Sequence, residues 1–299
     1  MILTCSILIT NYNTWILTNR CVQAVTRWSK SKISQILVVD DASTETAPES
    51  FSEQVKIICN DENKGYVASV NRGFLELQED VIILLDSDAY PLMDLIEPVC
   101  EAFASNPKLG AVGFQLVDEQ GNPTGSYDTI PKAIELLLGQ RLTARLHSWL
   151  PKKGKAEICL YSCAMAVRRQ AFQEISGFDE GFDFLDADID FSMRLHQAGW
   201  QVQVIPELLA FHEGGGSPQS TAKRVLRHHK NRWRLLSKHQ LLIMPNLLKF
   251  GLATRHALEY LLLKTCGHLL IRESTKLQDK LCSRKELLRL VWSNYGNKF

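Results

Sequence analysis

The sequence predicts an α/β fold, with a mainly parallel sheet flanked by helices and a helical extension at the C-terminal end. Three observations carry that prediction. Short, nearly continuous apolar runs alternate with helical segments early in the chain, as buried parallel strands alternate with their crossovers. Polar residues collect where those runs stop, which is where ligands meet the strands of such a sheet. From residue 221 onward the pattern becomes helical and basic.

The elements follow in order. Residues 5–10 (CSILIT) read as the first strand. The ten residues MILTCSILIT could pass for the core of a leader peptide, but they lack a basic start and run straight into polar TNYN. A helix is expected over 17–28, strands over 35–40 (QILVVD) and 55–59, a helix over 66–78, and a strand over 81–86 (VIILLD). Each apolar run is too short for a core helix. Between 121 and 155 a turn (GNPTG) precedes a helical stretch ending near Trp149, followed by PKKGK. An insertion or lid facing a substrate and a plain surface helix fit this stretch equally. VQVIPELLAF, ending at Phe211, reads as another strand.

Composition bounds the function. The chain has 299 residues, of which 45% are hydrophobic, enough for a real core and too many for a disordered or fibrous chain. The net charge of +1 conceals a split: residues 220–299 hold 17 Lys and Arg against 4 Asp and Glu. An acidic body and a basic tail each need an explanation. Eight cysteines are scattered singly without zinc-like spacing, so reduced thiols in a cytosolic setting are expected. No window reaches the 18 or so uninterrupted apolar residues of a membrane span. The nearest, 241–263, is broken by Pro245, Lys249, Arg255, His256 and Glu259.

Three places could do chemistry. Asp86-Ser87-Asp88 ends an apolar strand. Two carboxylates so close repel and raise each other's pKa, a conflict that a hard divalent cation resolves. The bland alternative is a solvated turn. In GFDEGFDFLDADIDF, Asp186, Asp188 and Asp190 crowd a helix start. Capping accounts for at least one of them, and a general base held beside a pocket is the functional reading of the others. His212, followed by Glu213 and three glycines, can approach a metal or phosphate without obstruction, or can be an ordinary surface histidine. No G-x-G-x-x-G follows the first strand and there is no Gly-Lys-Ser/Thr loop, which disfavours dinucleotide oxidoreductases and P-loop NTPases. The absence of G-x-S-x-G leaves a hydrolase without its nucleophile.

Together these segments resemble glycosyltransferase family 2, the inverting nucleotide-sugar transferases with the GT-A fold. The matching elements are TNYN (10–13), VVDDAS (38–43), NKGYVASVNRG (63–73), LLDSDAYP (84–91), the block SCAMAVRRQAFQEISGFDEGFDFLDADIDFSMRLHQAGW (162–200) and HEGGGS (212–217). They run in the family's order, and the last two look most like its rhamnosyltransferase-like branch. The resemblance implies a catalytic domain over 1–220, with nucleotide-sugar binding in 1–95 and the acceptor side in 96–220, and a basic helical region over 221–299.

It also implies roles for individual residues. Thr10, Asn11, Asp41, Asn63, Gly65, Asn71 and Asp86 are matched to donor binding, with Thr10 and Asp41 at the nucleoside and Asp86 near the ribose. Asp88 and His212 are matched to a divalent cation, Mn2+ or Mg2+, bridging the diphosphate. Asp188 takes the general-base position. Where the family writes E-D-x-D this chain has Ala187, and Asp186 stands one residue earlier as the second carboxylate. The implied activity is transfer of a sugar from a nucleoside-diphosphate sugar to a glycan or lipid-linked acceptor, in cell-surface polysaccharide or O-antigen synthesis. The alternative is a non-catalytic nucleotide-sugar-binding relative.

The basic stretch 223–239 interleaves Val225, Leu226, Trp233, Leu235 and Leu236. Such a helix can lie on anionic lipid with its Trp and aliphatic side chains at the interface. Nucleic acid is the rival for any basic, aromatic-bearing stretch and is not expected on a sugar transferase. A helical cap with solvated lysines is the third reading. A cytoplasmic protein, peripheral on the cytoplasmic face of the membrane, is the expected location.

Overall fold

The structure is a computed structural model and describes residues 3–29, 33–48, 51, 55–139, 142, 143, 145, 157–212, 221–271 and 273–293. PKKGK and the EGGGS that follows His212 lie outside the described residues. The chain forms two compact units, Met1–Ile130 with Ala156–Gly216, and Pro131–Lys155 with Ser217–Phe299.

The first unit opens with β1 (Cys5–Asn11), α1 (Trp15–Trp28), β2 (Ile36–Asp40), β3 (Val55–Cys59), α2 (Tyr66–Glu76) and β4 (Val81–Asp86). It continues through β5 (Ala89–Pro91), α3 (Ile96–Ser105), β6 (Leu109–Val117) and β7 (Tyr127–Thr129). After the segment carrying α4 (Ala133–Leu138) come β8 (Ile158–Leu160), β9 (Ala164–Arg168), α5 (Arg169–Glu174), α6 (Ala187–Gln197) and β10 (Gln201–His212). The four strands and two helices expected up to residue 86 all form, with ends moved by no more than two residues. The central runs are buried for the reason their composition suggested: β2 is buried throughout, and β4 as far as Leu85, whereas β3 at the sheet edge is only partly covered.

The main sheet has the order β3-β2-β1-β4-β9-β6-β10-β5. Its first four strands run parallel. Beyond them β9 lies antiparallel between β4 and β6, and β5 is antiparallel to β10. The sheet is thus mixed. No turn or alternation in AMAVR announced β9, because a strand inserted between two others is apolar on both faces, as a parallel one is. In β10 the register against β6 shifts between Ile205 and Leu209. Pro206 sits in that irregularity, where its missing N–H costs no ladder bond.

The strand ends are brought together by register. Thr10 lies opposite Asp86 in the β1–β4 pair, the Asp86 N–H donates to the Cys163 carbonyl at 2.9 Å, and His212 pairs with Ala89 across β10–β5. Three stretches far apart in sequence therefore end beside one another at the same edge.

The second unit consists, among described residues, of α4 with α7 (Thr221–Lys238), α8 (Pro245–Leu270) and α9 (Ser274–Trp292). Leu136, Trp233, Leu236, Leu248, Leu252 and Val291 form its core. The α4 helix, read from sequence as a lid or a surface helix, is thus part of this core. Its last carbonyls, left open by helix geometry, accept from the Arg255 guanidinium at Leu136 and Leu137. The core also corrects the reading of 223–239. Trp233, Leu235 and Leu236 are buried at 4%, 0% and 0% exposure, so they hold the helices together and do not face lipid.

All eight cysteines are free. The sheet carries most of the first unit's apolar burial, and Ile83 at its centre is fully buried. Ile83→Ala is expected to cost about 3 kcal/mol through lost burial and the cavity left behind, read as a lower urea midpoint with unchanged slope.

Candidate active site

The site starts from a hydrogen-bond relay beneath the sheet edge. Asp40, at the end of β2, accepts from Asn11 Nδ2 at 2.6 Å and from the hydroxyl and N–H of Ser43. Asn11 Oδ1 accepts from the hydroxyls of Thr18 and Thr14, and Thr14 hydrogen-bonds Ser87 Oγ at 2.9 Å. The turn between Asp86 and Asp88 is thereby tied to the end of the neighbouring strands. Asn11, matched above to donor binding, is buried and spends both ends of its amide inside this relay.

Asp86, Asp88 and His212 converge, each offering one donor atom within 4.8 Å of the others. His212 Nε2 stands 3.7 Å from Asp88 Oδ1. Beneath the β5–β10 pair that sets this approach, Tyr90 stacks on Phe211 at 4.6 Å and the Arg20 guanidinium lies 4.8 Å over the Tyr90 ring. Burial pushes the Asp86 carboxyl up to about 7, with further pushes from Asp88 and Asp188, while the Tyr66 hydroxyl opposes the shift. Asp86 Oδ1 is buried without a hydrogen-bond partner among the described residues. A divalent cation fits this set. Donors on opposite sides of an ion held at about 2.1 Å lie about 4.2 Å apart, the ion satisfies the orphaned oxygen, and its charge relieves the repulsion. Asp86, matched above to the ribose, stands in the same cluster as the two residues matched to metal.

A second set of contacts builds the loop before α2. Asp41 Oδ1 accepts from Asn60 Nδ2 at 2.7 Å and from the Lys64 N–H at 2.8 Å, and Oδ2 accepts from the Gly65 N–H at 2.8 Å. Gly65 has φ +89° in otherwise open space, so backbone conformation and not crowding calls for glycine there. Asn63 is exposed in this loop, and Thr10 is half-buried at the end of β1. Asn71 lies elsewhere: its side chain brackets Phe178, with Oδ1 accepting from the Phe178 N–H and Nδ2 donating to the Phe178 carbonyl, both at 2.9 Å. It clamps the Gly177-Phe178-Asp179-Glu180 turn. Gly177 is required there by φ +70° and by an Asn71 oxygen 2.8 Å from where a Cβ would stand.

The three acids at the start of α6 divide their work. Asp190 is wholly buried and pairs with Arg194 at 2.7 Å, which in turn donates to the Ile175 carbonyl. This role is structural, but it is an ion pair within the helix and not the capping expected of one of the three. Asp186 is the N-cap, buried at 6% exposure and left-handed at φ +63°, a conformation that Asp tolerates better than most residues. Asp188 accepts from the Ile189 N–H at 2.8 Å and the Ser162 N–H at 3.4 Å. Burial pushes its carboxyl up to about 7, Asp186 adds to the shift, and these backbone donors oppose it.

Two residues not singled out from sequence connect the halves of the site. The Tyr66 hydroxyl donates to the Ser162 carbonyl at 3.4 Å, and Ser162 supplies the N–H that meets Asp188. Both lay inside quoted motifs, NKGYV and SCAMA, where a hydroxyl next to a glycine or cysteine gave no separate signal.

Residues 6–176 match the family description "Glycosyl transferase family 2", more than half of the chain. The chain belongs to this family. A family 2 relative at 25% identity is the N-acetylglucosaminyl-diphospho-decaprenol L-rhamnosyltransferase of Mycobacterium tuberculosis, aligned over 86% of this chain and 88% of its own length. The O-antigen chain rhamnosyltransferase RfbN of Salmonella typhimurium is 26% identical over 64% of this chain and 60% of its own. Among solved structures, the mannosyltransferase PcManGT of Pyrobaculum calidifontis with GDP-Man and Mn2+ superimposes with a TM-score of 0.55 at 15% identity. That match covers the whole of this chain and 89% of the other. GalNAc-T7 with UDP, GalNAc and Mn2+ gives 0.59 at 18% identity, over 79% of this chain and 48% of its own. These likenesses establish the GT-A fold, and the family 2 chain described here is a glycosyltransferase.

The Asp86 shift has a stability consequence. In the folded chain this carboxyl keeps its proton to about pH 7, whereas unfolded it loses the proton near pH 4. Its contribution is fully present below the unfolded value and is lost as pH rises through about 7. Asp86→Asn in chelator is therefore expected to melt above wild type, by a margin that widens between about pH 5 and pH 8. Added Mn2+ should raise the melting temperature of the wild type and not that of the variant.

Proposed function

We propose that this glycosyltransferase is metal-dependent and inverting, moving a sugar from a nucleoside-diphosphate sugar to a hydroxyl of a glycan or lipid-linked acceptor in cell-surface polysaccharide or O-antigen synthesis. The observation that carries the reading is the convergence of Asp86, Asp88 and His212 within coordination reach at the strand ends, with Asp188 close enough for its charge to raise Asp86.

Asp86, Asp88 and His212 hold the divalent cation, Mn2+ or Mg2+, which when bound supplies positive charge to the diphosphate leaving group. Thr10 and the loop anchored by Asp41, with Asn63 and Gly65, border the nucleoside. Asn11 and Asn71 act at one remove, by fixing the strand ends and the 177–180 turn. Asp188 takes the proton of the acceptor hydroxyl. The freed oxygen attacks the anomeric carbon as the bond to the diphosphate breaks, so configuration inverts and no covalent enzyme intermediate forms. Asp186 serves as the second carboxylate, holding the helix start and keeping Asp188 basic. A lipid-linked acceptor is supported by the polyprenyl-diphosphate acceptor named for the mycobacterial relative. We assign the chemistry to residues 1–220 apart from the 131–155 segment, and membrane approach to the basic region, on the cytoplasmic face. No described helix is long and apolar enough to cross a membrane.

Asp188→Asn should lower kcat by about a thousandfold, the usual size of a general-base contribution, and leave the donor KM nearly unchanged. In the wild type, activity should fall as pH drops below about 7, because the base then carries its proton. Undiminished transfer by the variant sinks the assignment.

A further inference from the structure

The second unit carries a surface that its own packing does not explain. Half of the exposed large hydrophobic side chains among the described residues fall between residues 243 and 269. On α8 these are Leu247, Phe250, Leu258, Leu261, Leu262 and Leu269, each at least half exposed. At 100° per residue they fall within about 60° either side of one line. Between them that line holds Gly251, against which Leu137 of α4 packs, with Thr254, Thr265 and His268, and no lysine, arginine or carboxylate. The opposite face carries Leu248, Leu252 and His256, which are buried. The charged residues of the helix, Lys249, Arg255, Glu259 and Lys264, all lie off this stripe. At 1.5 Å per residue the bare stripe is about 33 Å long. Exposed apolar side chains aligned over this length mark an interaction site.

Charge selects what covers it. Residues 131–155 and 217–299 together hold 23 Lys and Arg against 5 Asp and Glu. The one carboxylate on α8, Glu259, is engaged by Arg255 and Arg284, while Lys264 is exposed beside the stripe. A second copy would bring an equal positive charge against this face, whereas an anionic bilayer offers both hydrocarbon and opposite charge.

We infer that the outer face of α8 lies in the headgroup layer of an anionic phospholipid membrane, with the surrounding lysines and arginines on the lipid phosphates. This inference rests on the reading of the chain as a transferase working at a membrane surface. It moves the lipid contact from the basic helix α7, whose Trp and leucines are core, to the next helix.

The test is flotation of the full chain with vesicles of mixed phosphatidylglycerol and phosphatidylcholine. Leu258→Asn with Leu261→Asn should reduce partitioning about tenfold or more. Leu247→Asn with Leu269→Asn, at the ends of the stripe, should do the same. Both pairs should keep the wild-type melting temperature and metal-dependent donor hydrolysis in solution. Unchanged partitioning by both pairs overturns the inference, as does equal binding of the wild type to pure phosphatidylcholine. A concentration-dependent dimer in vesicle-free solution, made monomeric by the same substitutions, also overturns it and assigns the face to a second copy. If donor hydrolysis is absent from wild type and variants alike while stripe-dependent flotation holds, the transferase reading fails and the lipid surface stands.

Discussion

Two carboxylates, Asp86 and Asp88, are held side by side at the end of β4 against their own repulsion, and much of the first unit is arranged to keep them there. The strand behind them is buried as far as Leu85, so it cannot turn to let them separate. Ser87 between them is tied through Thr14 and Asn11 to Asp40 on the next strand but one. His212 is delivered by a strand pair whose partner residue, Ala89, directly follows Asp88. Burial then makes the charged form costly, which leaves Asp86 ready to exchange its proton for a cation.

The same balance governs Asp188, the proposed base. Asp188 is placed on the first turn of α6, where free N–H groups favour a carboxylate, yet burial and Asp186 outweigh them and hold it near neutrality. A carboxyl ionised far below neutral pH would be a weak base, and one that is too basic would stay protonated. Tyr66 and Ser162 link the two carboxylate centres through one hydroxyl and one peptide unit, so the proposed metal site and the proposed base share a scaffold.

The second unit answers to different physics. Its basic helix α7 looks amphipathic in isolation, and the eye assigns its Trp and leucines to a membrane. Packing consumes that apolar face internally, against α4, α8 and α9. The unspent apolar surface is on α8, whose apolar residues are numerous enough to supply both a buried face and an exposed one. Charge and apolarity thus remain together in the unit but reside on different helices.

The chain's order of apolar runs and acidic strand ends determined by itself the α/β class, the first four strands, the split of charge and the crowding of Asp86 and Asp88 at one strand end, because burial and repulsion are written in residue type. Tertiary structure alone decided that β9 enters antiparallel beside β4, that His212 reaches Asp88, and that the Ser162 N–H meets Asp188. It decided also that Asn71 serves as a clamp and α4 as part of a helical core. Each of these depends on which distant backbone lies alongside, through strand register and helix packing, and no local run of residues encodes its partner.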